Sequence, residues 1–220
     1  MLVSILNNMK NEEKFNATAT VLSVRTESDY LLLSNKRKVK DLVLHSELEE
    51  NDIIDSLISL HLVLEVGLNT FYRHLALNAF KKEVDLVKVM ENIDSISFID
   101  KTVLFIYNSK FNFGDKISEA SHYHGIIGTL KDFTGIRNKL FHGHSVSSIF
   151  QKEKWNKSTT KESLNLWFLG EQIRKFRFIL DGVRFYFDCL ETSWTDSGKD
   201  DLSKQYLDHS FLPGCHFESD

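Results

Sequence analysis

Apolar residues recur with helical spacing over long parts of the chain. Over residues 53–80 they fall at steps of three and four, which places them on one face of a helix: Leu57, Leu60, Leu64, Leu68, Phe71 and Leu75. A second long row runs over residues 169–190, and shorter ones cover residues 98–110 and 117–142. Because this period is that of an α-helix and not of a strand, the pattern predicts four helices, of which the first and the last are long.

Beside the apolar face of the first predicted helix runs a row of polar side chains spaced four residues apart: His61, Glu65, Asn69 and Arg73. Residues with this spacing line up along one side of a helix. Such a row is usually a solvated surface, but its closeness to the apolar face also makes it a candidate wall of a functional site. We call these four residues the polar row.

In the third predicted helix, one position of the apolar row is charged. The row comprises Ile126, Leu130, Phe133 and Leu140. Arg137 occupies the position that the row leaves open. A guanidinium keeps its charge there, so it needs a carboxylate, a phosphate or a water-filled groove. The sequence therefore predicts a specific partner for Arg137.

The two ends of the chain carry weaker patterns. Residues 1–52 combine a candidate short strand at 17–25 with a basic run and an acidic run, and we interpret them as a variable decoration of uncertain structure. Residues 193–220 are polar and are predicted to form a loosely held tail. These boundaries leave residues 53–192 as one helical domain, which is long enough to bury a substantial core.

The composition agrees with a helical protein. One proline and ten glycines among 220 residues leave few turn signals. Two cysteines are too few for a disulfide framework, and the first residues lack the pattern of a signal peptide, which favours the cytoplasm. Asp55, His61 and Glu65 interrupt the most apolar stretch, so no membrane span is predicted.

The charge is unevenly distributed along the chain. The net charge is −4, but residues 129–185 contain eleven Lys or Arg and five Asp or Glu, a local charge of +6 that leaves −10 for the remainder. A basic half on an acidic protein can hold a phosphate backbone. Ordinary solvated helix faces explain the same counts equally well, so charge alone does not assign a partner.

The segment at residues 135–143, GIRNKLFHG, resembles the signature of the HEPN superfamily. That signature is an Arg, then a polar residue that is commonly Asn, and a His that follows the Arg after four intervening residues. Here these are Arg137, Asn138 and His142. The similarity extends over about residues 53–190: a long helix with a central acidic residue, a helix that ends in the signature, and a long closing helix.

The resemblance implies an all-α, HEPN-like helical bundle that pairs as a two-fold homodimer and needs neither a cofactor nor a metal. Many members are endoribonucleases of toxin–antitoxin, abortive-infection and other antiviral systems, and others are non-catalytic domains that bind RNA or a protein partner. The catalytic set it implies is Arg137, Asn138 and His142, with Glu65 as the acidic residue on the first long helix. An antitoxin or other regulatory protein is a further candidate partner.

The side chains of the signature suit RNA cleavage. The pKa of His lies near neutral pH, which favours proton transfer, and Arg offers a fixed fork for phosphate oxygens. Arg137 lies about 140° around the helix from His142, so we expect two signatures that face each other across a dimer axis to form the site. The residues predicted to guide the RNA strand are Lys139, His144, Arg174 and Arg177.

Other interpretations of these residues remain. Arg137 could form a purely structural salt bridge, with His142 capping the end of its helix. In some family toxins a Tyr two residues after the His is modified by a partner enzyme, and His144 at this position argues against that pairing. The pairs His122/His124 and His142/His144 offer imidazoles for zinc. Residues two apart diverge by about 200° on a helix, however, so no metal site is predicted.

Overall fold

A computed structural model of the chain describes residues 28–44, 48–79, 86–111, 120–142, 166–190 and 196–212. These residues form seven α-helices and no strand. Helix α1 spans residues 28–43, and the others are α2 (Glu50–Ala79), α3 (Leu86–Ser95), α4 (Phe98–Phe111), α5 (Ala120–Phe141), α6 (Leu166–Asp188) and α7 (Asp196–Tyr206). The described part of the chain is therefore all-α, and the four predicted helices correspond to α2, α4, α5 and α6.

Helix α2 lies at the centre of the core. Its predicted apolar face is buried from Leu57 to Phe71, and Leu75 packs partly buried at its end. Helices α3 to α7 all contact it. Because each buried side chain of this kind stabilises the fold by about 1.5–3 kcal/mol, burial of this one face is a main source of the stability of α2.

The same helix is the one described element that is long and apolar enough to cross a membrane. The window Asn51–Ala76 has a mean hydropathy of 1.4, although 61% of it is buried inside the bundle. The prediction that the chain has no membrane span rested on the charged residues in this stretch, and it stays a prediction. The central helix of a helical bundle meets the same criteria, so the window is weak evidence for a membrane span.

Helices α5 and α6 pack closely and run in opposite directions. Ile126 lies against Gly182, whereas Phe133, seven residues later on α5, contacts Phe176, six residues earlier on α6. A Cβ atom at Gly182 would come within 2.4 Å of the Ile126 side chain, so only glycine permits this approach. The first turn of α6 therefore lies at the end of the pair where α5 finishes.

The chain after α6 is not a loose tail where the structure describes it. Residues 196–212 contain α7 and a following turn, and four of their side chains are buried in the core: Leu202, Tyr206, Leu207 and Leu212. The prediction of a loosely held tail is wrong for these residues. Only a few apolar residues of this segment reach the core, and they are scattered through a polar sequence. The sequence therefore contains no long periodic row from which this helix could be predicted.

The N-terminal segment also contributes to the core. Helix α1, inside the segment interpreted as a decoration, buries Leu32, Val39 and Val43. The neighbours Leu31 and Leu33 are exposed, so three consecutive leucines hide the helical period in the sequence. The strand predicted at residues 17–25 lies outside the described residues.

A hydrogen-bonded tyrosine joins the two ends of the chain to the central helix. The hydroxyl of the buried Tyr206 on α7 donates to the Asp29 carboxylate on α1 at 2.8 Å. His74 Nε2 on α2 lies 2.9 Å from the hydroxyl oxygen of Tyr206. It donates to that oxygen, because the hydroxyl proton of Tyr206 already points at Asp29. One buried side chain thus links α1, α2 and α7.

The contact between Gly182 and Ile126 gives a prediction for stability. Gly182→Ala is expected to lower the free energy of unfolding by about 1–3 kcal/mol, because the added methyl group must displace a fully buried isoleucine. Gly128→Ala is the matched control: nothing lies within 4 Å of its Cβ position, so alanine should stabilise α5 by up to about 1 kcal/mol. Urea unfolding followed by helical circular dichroism measures both, and equal effects of the two variants would contradict the packing of α5 on α6.

Candidate functional site

The residues of the signature lie at the C-terminal end of α5. The backbone N–H of His142 donates to the carbonyl oxygen of Asn138 at 3.0 Å, so helical hydrogen bonding continues one residue beyond Phe141. Asn138 and His142 are exposed, and Lys139 is half-buried. The end of α5 therefore presents an amide and an imidazole, one turn apart, on its solvent side.

Arg137 points to the other side of α5 and meets the polar row of α2. Its Nη1 atom donates to Glu65 Oε2 at 2.5 Å, and the two side chains are 33% and 31% exposed. Glu65, predicted as the acidic residue on the first long helix, pairs with Arg137 in the structure. Because both groups are partly desolvated, this ion pair is stronger than one between fully exposed side chains.

An exposed aromatic ring completes the surroundings of Arg137. The guanidinium carbon lies 5.8 Å from the centroid of the Phe141 ring, within the range of a cation–π contact. Phe141 itself is 58% exposed, directly beside His142 in the chain. Phe141 was not among the predicted site residues, because an isolated phenylalanine at a helix end resembles an ordinary core position.

His61 lies one turn before Glu65 on α2 and is buried, with 4% of its surface exposed. Its ring stacks on that of Phe133, with centroids 3.9 Å apart and an angle of 27° between the planes. Burial, and in second place the positive charge of Arg137, lower the pKa of His61 to about 3. The imidazole is therefore neutral at ordinary pH.

The rest of the polar row contacts helices α3 and α4. Lys101 Nζ on α4 donates to Asn69 Oδ1 at 2.8 Å, and Arg73 binds both carboxylate oxygens of Asp94 on α3, each at 2.8 Å. Burial lowers the pKa of Lys101; Asp94 and Glu65 oppose the shift, and Arg73 adds to it. Lys101 was not among the predicted site residues, because a lysine within an apolar stretch gives no sign that it is buried.

Each member of the polar row thus meets a different group on a neighbouring helix. With Lys101, Asp94 and Arg137 included, three cations face two carboxylates, a net charge of +1 while His61 is neutral. The row is therefore not a solvated surface, since its members face other helices, and its role as the wall of a functional site stays a prediction.

The residues predicted to guide RNA are not all presented to solvent. Arg174 is largely exposed and pairs with Glu171 on its own helix, and Lys139 is half-buried near the end of α5. Arg177 Nη2 donates to the backbone oxygen of Leu212 at 3.1 Å, which ties the chain after α7 to α6. His144 lies outside the described residues.

Metal ligands do not cluster in the part of the chain that the structure describes. No three His, Cys, Asp or Glu side chains approach each other there closely enough to hold one ion. Of the four histidines in the alternative zinc site, the structure describes the side chains of His124 and His142, both exposed. Among the described residues, the end of α5 offers an imidazole, an amide and a guanidinium.

Comparison with models of known protein families, with curated proteins and with solved structures finds no match to this chain. The geometry of the site therefore carries the functional argument.

The neutral state of buried His61 gives a prediction for the effect of pH. Below a pH of about 6.5 the unfolded chain takes up a proton on His61, whereas the folded protein does so only near pH 3. The free energy of unfolding therefore decreases as the pH falls through this range. From pH 7.5 to pH 5 the wild type should therefore lose about 2 kcal/mol more free energy of unfolding than His61→Leu.

Urea unfolding at the two pH values measures this difference. His124→Leu, which removes an exposed histidine from α5, is the control for histidine number. If the two variants reduced the acid loss equally, its assignment to the buried His61 would be wrong.

Proposed function

We propose that this protein is a metal-independent endoribonuclease of the HEPN type that acts as a homodimer, as a toxin or antiviral-defence effector in the cytoplasm. One observation carries the proposal. At the end of α5, Asn138 and His142 are exposed one turn apart, and the adjacent Arg137 is partly exposed and held by Glu65 at 2.5 Å. These are the groups that cleavage of a phosphodiester without a metal requires.

RNA supplies its own nucleophile, the 2′-hydroxyl group next to the scissile phosphate. In the proposed reaction the 2′-oxygen attacks phosphorus while the bond from phosphorus to the 5′-oxygen breaks, which leaves a 2′,3′-cyclic phosphate and a 5′-hydroxyl. One imidazole takes the proton of the 2′-hydroxyl, and an acid returns a proton to the departing 5′-oxygen. An imidazole can serve as either the base or the acid, and His142 provides one at this position.

Arg137 would bind the non-bridging oxygens of the phosphate. Among its five N–H donors, only one on Nη1 has an acceptor within the described residues, the Glu65 carboxylate. The phosphate therefore has to compete with Glu65 for the guanidinium. In the absence of RNA, Glu65 holds the guanidinium in a fixed position. Asn138 would position the substrate, while Lys139, Arg174 and His144 would contact the strand on either side.

Two protomers are part of the proposal for a geometric reason. Arg137 faces α2, whereas His142 faces solvent about 140° further around α5, so one chain surrounds a phosphate incompletely. A second protomer would bring another imidazole, so that one His142 acts as base and the other as acid. An antitoxin or another regulatory protein would then control the enzyme by covering this face.

The alternative is a non-catalytic protein of the same type that binds RNA or a protein partner. The ion pair between Arg137 and Glu65 favours this non-catalytic function, because a carboxylate at 2.5 Å already neutralises the guanidinium. The exposed Phe141 ring also fits a protein contact. Cleavage of RNA discriminates between these two functions.

The cleavage test uses total RNA in the presence of EDTA. The wild type is expected to cut it, and His142→Ala should lower the rate at least about a hundredfold, because proton transfer by a positioned side chain contributes this much or more. His124→Ala removes an exposed histidine elsewhere on α5 and should cut like the wild type. Intact RNA with the wild type, or equal cutting by His142→Ala, would sink the proposal for the RNAs tested.

The role of the dimer is tested by subunit exchange. With a large excess of inactive His142→Ala, most wild-type chains pair with a variant chain, so the activity per wild-type chain should fall steeply. The same excess of His124→Ala should not lower it. If activity per wild-type chain stayed constant in the presence of His142→Ala, or if light scattering found a fully active monomer, catalysis would belong to a single chain.

A further inference from the structure

The imidazole of His61 carries a hydrogen-bonding atom that the described protein does not satisfy. His61 is 4% exposed, and its Nε2 atom is buried with no hydrogen-bond partner among the described residues. Buried polar groups are nearly always paired, because an unpaired one loses its bond to water without replacement. An apolar side chain of similar size would stack on Phe133 without this cost.

The position of His61 connects this atom to the candidate site. His61 on α2 contacts Phe133 on α5. One turn further along each helix, Glu65 contacts Arg137. These are consecutive contacts between the same two helices, and the imidazole is more deeply buried than the ion pair between Arg137 and Glu65. The charge of Arg137 acts on the His61 ring.

We propose that His61 is a positioning residue for Arg137, whose guanidinium donates a hydrogen bond to the buried Nε2 atom when an RNA phosphate takes it from Glu65. This inference rests on the proposed ribonuclease function and deepens it. In the free protein Glu65 holds the guanidinium from one side. In the RNA-bound protein a neutral acceptor takes over that task without reducing the positive charge that the phosphate meets.

The chemistry of the imidazole fits this role better than that of other acceptors. Burial and the charge of Arg137 keep the ring neutral, so Nε2 has a lone pair when Nδ1 carries the proton. A protonated ring would repel Arg137, and a second carboxylate would compete with the phosphate. The stack on Phe133 fixes the plane of the ring, so the acceptor is already oriented before RNA binds.

Two substitutions separate this role from simple filling of the core. His61→Leu removes the nitrogen and should raise the melting temperature by a few degrees, since it removes an unpaired buried polar atom. The same variant should lower kcat for RNA cleavage by about ten- to hundredfold, because a misplaced catalytic group costs this much, and should change KM less. His61→Gln restores an acceptor near the position of Nε2 and should regain most of the lost kcat.

Ser56→Ala is the matched control. Ser56 lies on the same helix, is fully buried, and its Oγ atom also has no partner among the described residues. Its removal should leave RNA cleavage unchanged. The experiment therefore compares two unpaired buried atoms of α2, of which only one adjoins the ion pair of Arg137.

The outcomes distinguish this inference from the proposed function. Wild-type activity together with full activity of His61→Leu would overturn the role of His61 alone, as would a His61→Gln variant that is as impaired as His61→Leu. A lower melting temperature of His61→Leu would show that Nε2 is already bonded in the free protein and would overturn the premise. If the wild type left RNA intact, the ribonuclease function would fail, and the role of His61 with it.

Discussion

The guanidinium of Arg137 lies at the edge of an apolar core, and the surrounding helices are arranged to keep its charge there. Moving a charge out of water is costly unless a partner compensates, and Glu65 is that partner at 2.5 Å. The pair fixes how α2 faces α5, so the same face of α2 that carries Glu65 must point His61 at Phe133 and Asn69 at Lys101. The orientation of the polar row thus follows from placing one cation, Arg137, between α2 and α5.

Sequence patterns predicted the parts of this arrangement that depend on neighbours in the chain. The apolar face of α2 repeats over five helical turns, and only one element can produce such a row. The charged position of Arg137 in the apolar row of α5 is also visible from the spacing of residues along the chain. That position alone predicts a partner for the guanidinium. Glu65 was predicted on a different ground, as the acidic residue that the resemblance to the HEPN superfamily implies on the first long helix.

The remaining features depend on the tertiary structure and left no such sign. Helix α1 hides its buried face among consecutive leucines, and α7 attaches through a few apolar side chains and the hydroxyl of Tyr206. Arg177 looked like an RNA ligand in the sequence, yet its guanidinium reaches a backbone oxygen after α7. The burial of His61 was also invisible, since a histidine beside an apolar face fits the surface and the interior equally well.

A competition for Arg137 would also account for how an acidic protein can bind an anion at this end. The net charge of −4 opposes the approach of RNA at long range, but the polar row and its partners carry +1 on a short stretch of four helices. Interactions between partly buried charges are screened less by salt than those across open solvent. Glu65 holds the guanidinium in place until a ligand offers more than one carboxylate does. A phosphodiester, whose two non-bridging oxygens match the guanidinium fork as the oxygens of a carboxylate do, competes with Glu65 for the same donors.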